Sequence, residues 1–298
     1  MRVATNTVSD TVLRQIQDLN SRLTNLQTQV STGQRVFQPE DDPAAMGRLI
    51  GLQNEDQQLG QFQLNASRAL EISQASTSAL QQVKQISDRT SEIATLGAST
   101  ESDAAAQSYA TETNQLLEQA VQLANSRLRS DYLFAGTAVG SAPFQVTRDA
   151  TGAITGVTYV GNTAAAAIPL SETANISPYT SGATNQGVAA YLNQLVALRD
   201  ALTNNDTAAV ATVQSGLMTS EDTMINGISE QGAVQMRIEI NQSQQQDRSS
   251  DIEKLISNDA DVDLSQAIVR FNQVQVAYQA SLQSTGSIMQ LSLLDYLK

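Results

Sequence analysis

The sequence predicts a mainly α fold with an inserted β-rich domain: an elongated antiparallel helical bundle whose terminal helices are coiled-coil-like. Three observations carry this. Apolar residues recur at alternating spacings of three and four near both ends of the chain. All five prolines lie between residues 39 and 178, so residues 179–298 contain none. Seven of the 16 glycines fall between residues 130 and 190, where short β-branched runs replace the helical period.

The first helix carries Val12, Ile16, Leu19, Leu23, Leu26 and Val30 on one seam. It meets "STGQRVFQPEDDPAAMG" at residues 31–47, where the helical pattern stops. Thr32-Gly33 reads as a helix stop, with Gly33 suited to the left-handed position after the last turn. Arg35 to Gln38 reads as extended, since Pro39 disfavours helix at the residue before it. Asp42-Pro43 reads as a new start, with Asp42 as N-cap, Pro43 in the first turn, and Glu40 and Asp41 near the positive helix end.

From Pro43 to about Gly97 the pattern reads as one long helix, with room for a bend or a break. Its seam is Leu59, Phe62, Ala66, Ala69, Ser73, Leu80, Val83 and Ile86. Fifty such residues span roughly 75 Å. A further helix shows Tyr109, Thr113, Leu116, Ala120, Leu123 and Arg127. "FQVTRDATGAITGVTYVG" then predicts a hairpin turning around Asp149–Gly152. Residues 130–185 read as a small β-rich insertion whose removal leaves both helical halves intact. Val234, Ile238, Asn241, Gln245, Arg248, Ile252 and Leu255 form a later seam, interrupted by "SNDADVD". The last helix places Leu264, Ile268, Phe271, Tyr278, Leu282 and Met289 on a heptad frame. The domain reading is therefore 1–42, N-terminal helix and connection; 43–130, helical rod; 131–187, β-rich domain; 188–258, helical rod; 259–298, C-terminal helix.

Composition narrows the function. The chain has no Cys, His or Trp, and only five Phe and seven Tyr. Thiol chemistry, imidazole bases and disulfides are excluded. Glu40, Asp41 and Asp42 are adjacent, and adjacent carboxylates do not converge on one reacting atom. An EF-hand counted from Asp259 requires Gly at 264 and Glu at 270, where Leu264 and Arg270 stand. The chain reads as a non-enzyme without metal or cofactor. A net charge of −13 with only Lys84, Lys254 and Lys298 as lysines argues against nucleic acid and against a polybasic membrane patch. No stretch approaches 18 apolar residues, so no membrane insertion is expected. The N-terminal stretch has no apolar core of the signal-peptide kind.

The order of features resembles the flagellin superfamily. The shared residues are Ser31, Thr32, Gly33, Arg35 and Val36, then Asp41, Asp42, Pro43 and Ala44, together with the terminal "LSLLDYLK". Pro43 directly after Asp42, and "SDYLFAGTAVGSAPF" at 130–144, are similar to the hook-associated branch at the hook–filament junction. The F-N-G-x-x-L-L-type run of filament flagellins is absent. The resemblance covers roughly 1–135 and 190–298. It implies an extracellular structural protein, exported by the type III route with a chaperone and assembling with itself as a ring or helical tube. Another junction protein and flagellin would be its neighbours, its terminal helices paired in the inner layer and its middle domain outermost. Filament flagellin is the nearest alternative. A soluble helical signalling bundle is the second, opposed by the β-rich interruption.

Overall fold

The computed structural model describes residues 2–100, 102–164 and 166–296; for 2–9 and 288–296 it describes the helical backbone alone. Six helices dominate: α1 (Arg2–Thr32), α2 (Pro43–Ala98), α3 (Asp103–Ala124), α4 (Gly182–Thr203), α5 (Thr207–Ala260) and α6 (Leu264–Tyr296). Among the described residues between α3 and α4, six short strands pair as three antiparallel two-stranded sheets: β1 (Arg127–Leu128) with β2 (Asp131–Tyr132), β3 (Phe144–Arg148) with β4 (Ile154–Tyr159), and β5 (Ile168–Pro169) with β6 (Asn175–Ile176). Packing divides the chain into two units: residues 1–57 with 248–298, and residues 58–247.

In the 58–247 unit, α2 runs without a break through the residues where the sequence left room for a bend. No proline follows Pro43 in this helix, so every i to i−4 backbone bond can form. Its seam is small and partly polar: Ala66, Ala69, Ser73, Ser76 and Ala79 are all buried. Side-chain bonds set it against α5. Ser73 Oγ donates to Gln231 Oε1 at 2.8 Å, and Gln235 Nε2 donates to Thr77 Oγ1 at 2.8 Å. Gln214 Nε2 donates to Thr95 Oγ1 at 3.1 Å, which makes the two helices antiparallel.

Bulk is concentrated further along. Leu80, Ile93, Leu117, Phe134, Phe144, Ile154, Tyr191, Leu192, Leu195, Leu198, Leu202 and Leu217 are fully buried. They belong to one core contributed by α2, α3, α4, α5 and the β segment. The β segment is therefore not separable from the helices. Removing 138–185 would take Phe144, Ile154 and Val157 out of the core that α3 and α4 share.

The hairpin predicted from the sequence is β3 (Phe144–Arg148) paired with β4 (Ile154–Tyr159). Its turn is held by Asp149, whose Oδ1 accepts from Thr151 N–H, Thr151 Oγ1 and Ala153 N–H. A two-stranded sheet has two open edges, and here asparagines close both. Asn125 Oδ1 accepts from Phe144 N–H at 3.1 Å while its Nδ2 donates to Phe144 O at 2.9 Å. Asn193 does the same for Val157, at 2.9 and 2.7 Å. Each amide stands in for one residue of a missing strand, which blunts an edge otherwise open to pairing. Gly136 in "LFAGT" has φ +65, and an added Cβ would fall 2.0 Å from the Asn162 carbonyl oxygen. No other residue fits there.

Asn193→Ala leaves both backbone groups of buried Val157 without their partner. We expect a loss of about 1–3 kcal/mol in urea unfolding. An unchanged midpoint would show that water replaces the amide at no cost.

Candidate functional site

The residues singled out from the sequence lie in the unit formed by 1–57 and 248–298. On α1, Val12, Ile16, Leu19, Leu23, Leu26 and Val30 are all half-buried, while most positions between them are exposed. They pack against α6. A shallow groove lined by Val12, Gln15, Ile16, Ser281, Ser284 and Thr285 shows the sense: the start of α1 lies beside the far part of α6.

The inward frame of α6 is Ala267, Phe271, Val274, Tyr278, Ser281 and Thr285. Phe271 and Tyr278 are among the residues named from the sequence. Leu264, Ile268 and Leu282 lie on the adjacent face, 48%, 45% and 45% exposed. Met289 falls outside the residues whose side chains are described. The two faces share Phe271, Tyr278 and Thr285. The larger apolar side chains mark one face, and α1 uses the other, where Ala267 and Ser281 allow closer approach.

The connection at 31–47 is an ordered structure. Ser31 Oγ bonds back to Thr28 O within the last turn of α1. Gly33 has φ +74 and its N–H reaches Gln29 O at 2.9 Å, the left-handed stop expected of it. The chain then pairs with the α5–α6 junction. Arg35 N–H donates to Ala260 O at 2.6 Å, and Val262 N–H donates to Gly33 O at 2.9 Å. Gln34 and Asp261 form the antiparallel bridge between these two bonds. Val36 is buried with Ala45, Leu49 and Ala260 as a small core of its own. Pro43 opens α2 and is exposed.

The three acids do three different things. Asp42 Oδ1 accepts from Ala45 N–H at 3.0 Å, as an N-cap, and its Oδ2 meets Arg35 Nη1 at 3.3 Å. Asp41 serves the loop and not the helix end, accepting from Phe37 N–H and Gln38 N–H at 3.1 and 2.9 Å. Glu40 is exposed. Arg35 Nη2 also donates to Asp259 O at 2.8 Å. Asp259 in turn is held bidentately by Arg48, with both N···O distances 2.8 Å. Arg48 is the residue that sequence reasoning missed. Its partner lies 211 positions away, and no local pattern announces such a pair.

The Ala45 N–H bond and then Arg35 hold the Asp42 carboxyl below its ordinary value. The Arg48 hydrogen bonds do the same for Asp259. Among the described residues no group of three or more Asp or Glu is placed to hold a metal ion, and no helix is long and apolar enough to cross a membrane. The arrangement is a clamp between two chain crossings. It holds helices together.

The bacterial flagellin N-terminal helical region matches residues 3–138. Flagellar hook-associated protein 3 of Salmonella typhimurium is 27% identical over 315 aligned positions, covering 98% of both chains. The same-named protein of Escherichia coli is 31% identical over 146, covering 48% of this chain and 46% of that one. Among solved structures, a putative flagellar hook-associated protein from Vibrio parahaemolyticus superposes with a TM-score of 0.66 at 17% identity, over 74% of this chain and 100% of that one. FlgL of Bacillus cereus gives 0.60 at 19%, over 70% and 99%.

A folded-state pKa below the ordinary Asp value of 3.8 stabilises the clamp fully above that pH, and the contribution fades as pH falls through the lower folded value. Amide protection at Arg35 and Val262 is therefore expected to decline only below pH 3.8. Arg48→Gln removes the largest cause at Asp259. Its carboxyl carbon shift should then titrate at a higher pH, nearer 3.8, and an unmoved titration would show that the Arg48 pair is not formed in solution.

Proposed function

We propose that this chain is a member of the flagellin superfamily, a reading supported by the match of the flagellin N-terminal helical region to residues 3–138, and that it is a structural subunit of the bacterial flagellum, joining hook to filament by assembly with copies of itself. The observation that carries this reading is likeness along the whole length to a hook-associated protein. The short Gly33–Pro43 connection, resembling the family motif, supports it.

In this reading the paired α1 and α6 form the inner layer, with the 31–47 connection as its outer boundary, and the β-bearing part faces outward. The seam residues Val12 to Val30 and Phe271 and Tyr278 hold the pair, while Leu264, Ile268 and Leu282 meet neighbouring subunits. Hook-side junction protein and flagellin are the partners at either end. The chain leaves the cell by the flagellar export route, kept from early assembly by a chaperone that covers its terminal helices. Its work is mechanical and it catalyses no reaction. Its place is the flagellum outside the cell.

Deleting the gene is the test. The expected phenotype is a hook without a filament, and flagellin monomers spilled into the medium at wild-type amounts. Disappearance of the main filament protein itself would instead identify the chain as flagellin. Normal filaments would refute both.

A further inference from the structure

The chain has no Cys, His or Trp. Methionine is then the side chain that peroxide oxidises, at the thioether sulfur. Six methionines are present, and Met46, Met218, Met224 and Met236 are those whose side chains are described. Their surroundings differ sharply. Met218 and Met236 are 62% and 63% exposed, and neither belongs to any of the apolar clusters. Met224 is 0% exposed and lies in the large core that also holds Leu192 and Leu217. Met46 is half-buried against the small core of Val36, Ala45, Leu49 and Ala260.

Met218, Met224 and Met236 all lie on α5. From Met218 to Met236 the helix makes five full turns at about 3.6 residues each, so the two share one line along it, roughly 27 Å apart. Met224 falls about a third of a turn away from that line, on the side packed into the core. The helix thus holds two thioethers in solvent and hides the third. Leucine matches methionine in helix propensity, so neither the helix nor the core requires sulfur at 218 and 236.

We propose that Met218 and Met236 are oxidation sites of the folded chain, each consuming one equivalent of peroxide as a methionine sulfoxide while the fold stays intact. In each step a sulfur lone pair attacks one peroxide oxygen and the O–O bond breaks. An S–O bond forms, and the other oxygen leaves as water after a proton shift. The thioether gives up the two electrons that the peroxide gains. The product is polar where the thioether was apolar. At Met218 and Met236 water solvates the new oxygen, and no packed atom has to move. At Met224 the same oxygen would sit inside an apolar core without a donor, which is costly. At Met46 it would press on the small core beneath the 34–261 bridge. Methionine sulfoxide reductases reverse the step, the oxygen leaving in water as a dithiol is oxidised to a disulfide. The inference goes beyond the assembly reading above and does not depend on it.

The test uses the purified full-length chain in a large excess of hydrogen peroxide, quenched at intervals, unfolded and cut after glutamate. Cleavage at Glu40, Glu55, Glu172, Glu221, Glu230 and Glu239 puts Met46, Met218, Met224 and Met236 on separate peptides, 41–55, 173–221, 222–230 and 231–239. Mass spectrometry then reads the oxygen gained by each. Met218 and Met236 should be oxidised at closely similar rates, at least about tenfold faster than Met224, with Met46 between. While these two alone carry oxygen, the urea midpoint of the chain should match that of the untreated protein. Met218→Leu/Met236→Leu should keep that midpoint too, because the sulfur serves no packing. Uptake at Met218 or Met236 as slow as at Met224 would overturn the proposal. A midpoint that falls when only these two are oxidised, or a double variant that unfolds at lower urea, would overturn it equally.

Discussion

The distance between α2 and α5 is the constraint on which the 58–247 unit depends. A chain with five Phe, seven Tyr and no Trp cannot fill a wide interior. Dispersion is lost steeply once facing atoms part by half an ångström. The seam built from Ala66, Ala69, Ser73, Ser76 and Ala79 therefore works only if the helices come close. Close approach brings backbone-proximal hydroxyls within reach of the opposing Gln side chains, and the Ser73–Gln231 and Thr77–Gln235 bonds follow. An apolar seam tolerates sliding. A bond between two particular side chains does not, so the polar residues that look like weaknesses in the sequence supply the register. The scarce large side chains are then spent together, where α3, α4 and the β3–β4 hairpin converge.

This division decides what the sequence could disclose. On α1 the half-buried positions follow the single apolar stripe that the sequence carries. On α6 two stripes share Phe271, Tyr278 and Thr285, and the heavier Leu264, Ile268 and Leu282 drew the frame to the wrong side of the pairing with α1. The α3 frame slipped for a similar reason. Ala110, Leu117 and Val121 are buried while Tyr109, Leu116 and Leu123 are half-buried against the same core, so the helix is covered over more than one face. The hairpin was legible because turn chemistry is local, as the three bonds accepted by Asp149 attest. The asparagine clamps on Phe144 and Val157, and the Arg48–Asp259 pair, were not. Each is a contact between one polar side chain and a distant group, and such contacts have no period.

The separability of the β segment was misjudged on composition. Glycine and proline density marks turns, and turns say where the chain reverses. They do not say what the reversed strands pack on. Phe144, Ile154 and Val157 alternate with polar residues as in any half-exposed sheet. Nothing in that alternation tells whether the buried face meets its own small core or, as here, Leu192 and Leu195 of α4.

The terminal helices pose the register problem in its purest form. A heptad seam repeats every seven residues, so α1 could slide by one heptad along α6 and still match apolar to apolar. The described seam of α6, from Ala267 to Thr285, is made of apolar and small residues that match a heptad stripe in more than one register. A register can be set outside the seam, where the segments flanking both helices are tied together. The Gly33–Val262 and Arg35–Ala260 backbone bonds do this. They tie the residues just after α1 to those just before α6, at a point where a one-residue slip would break both. That accounts for the demands on the short stretch at 31–47. Gly33 must turn at positive φ to bring its carbonyl to Val262. Val36 must plug the small core beneath the bridge. Arg35 must reach both Asp42 and the Asp259 carbonyl, linking the helix that begins there to the helix that ends there. Gly33 stops one helix, two backbone bonds anchor it, and Asp42 with Pro43 starts the next.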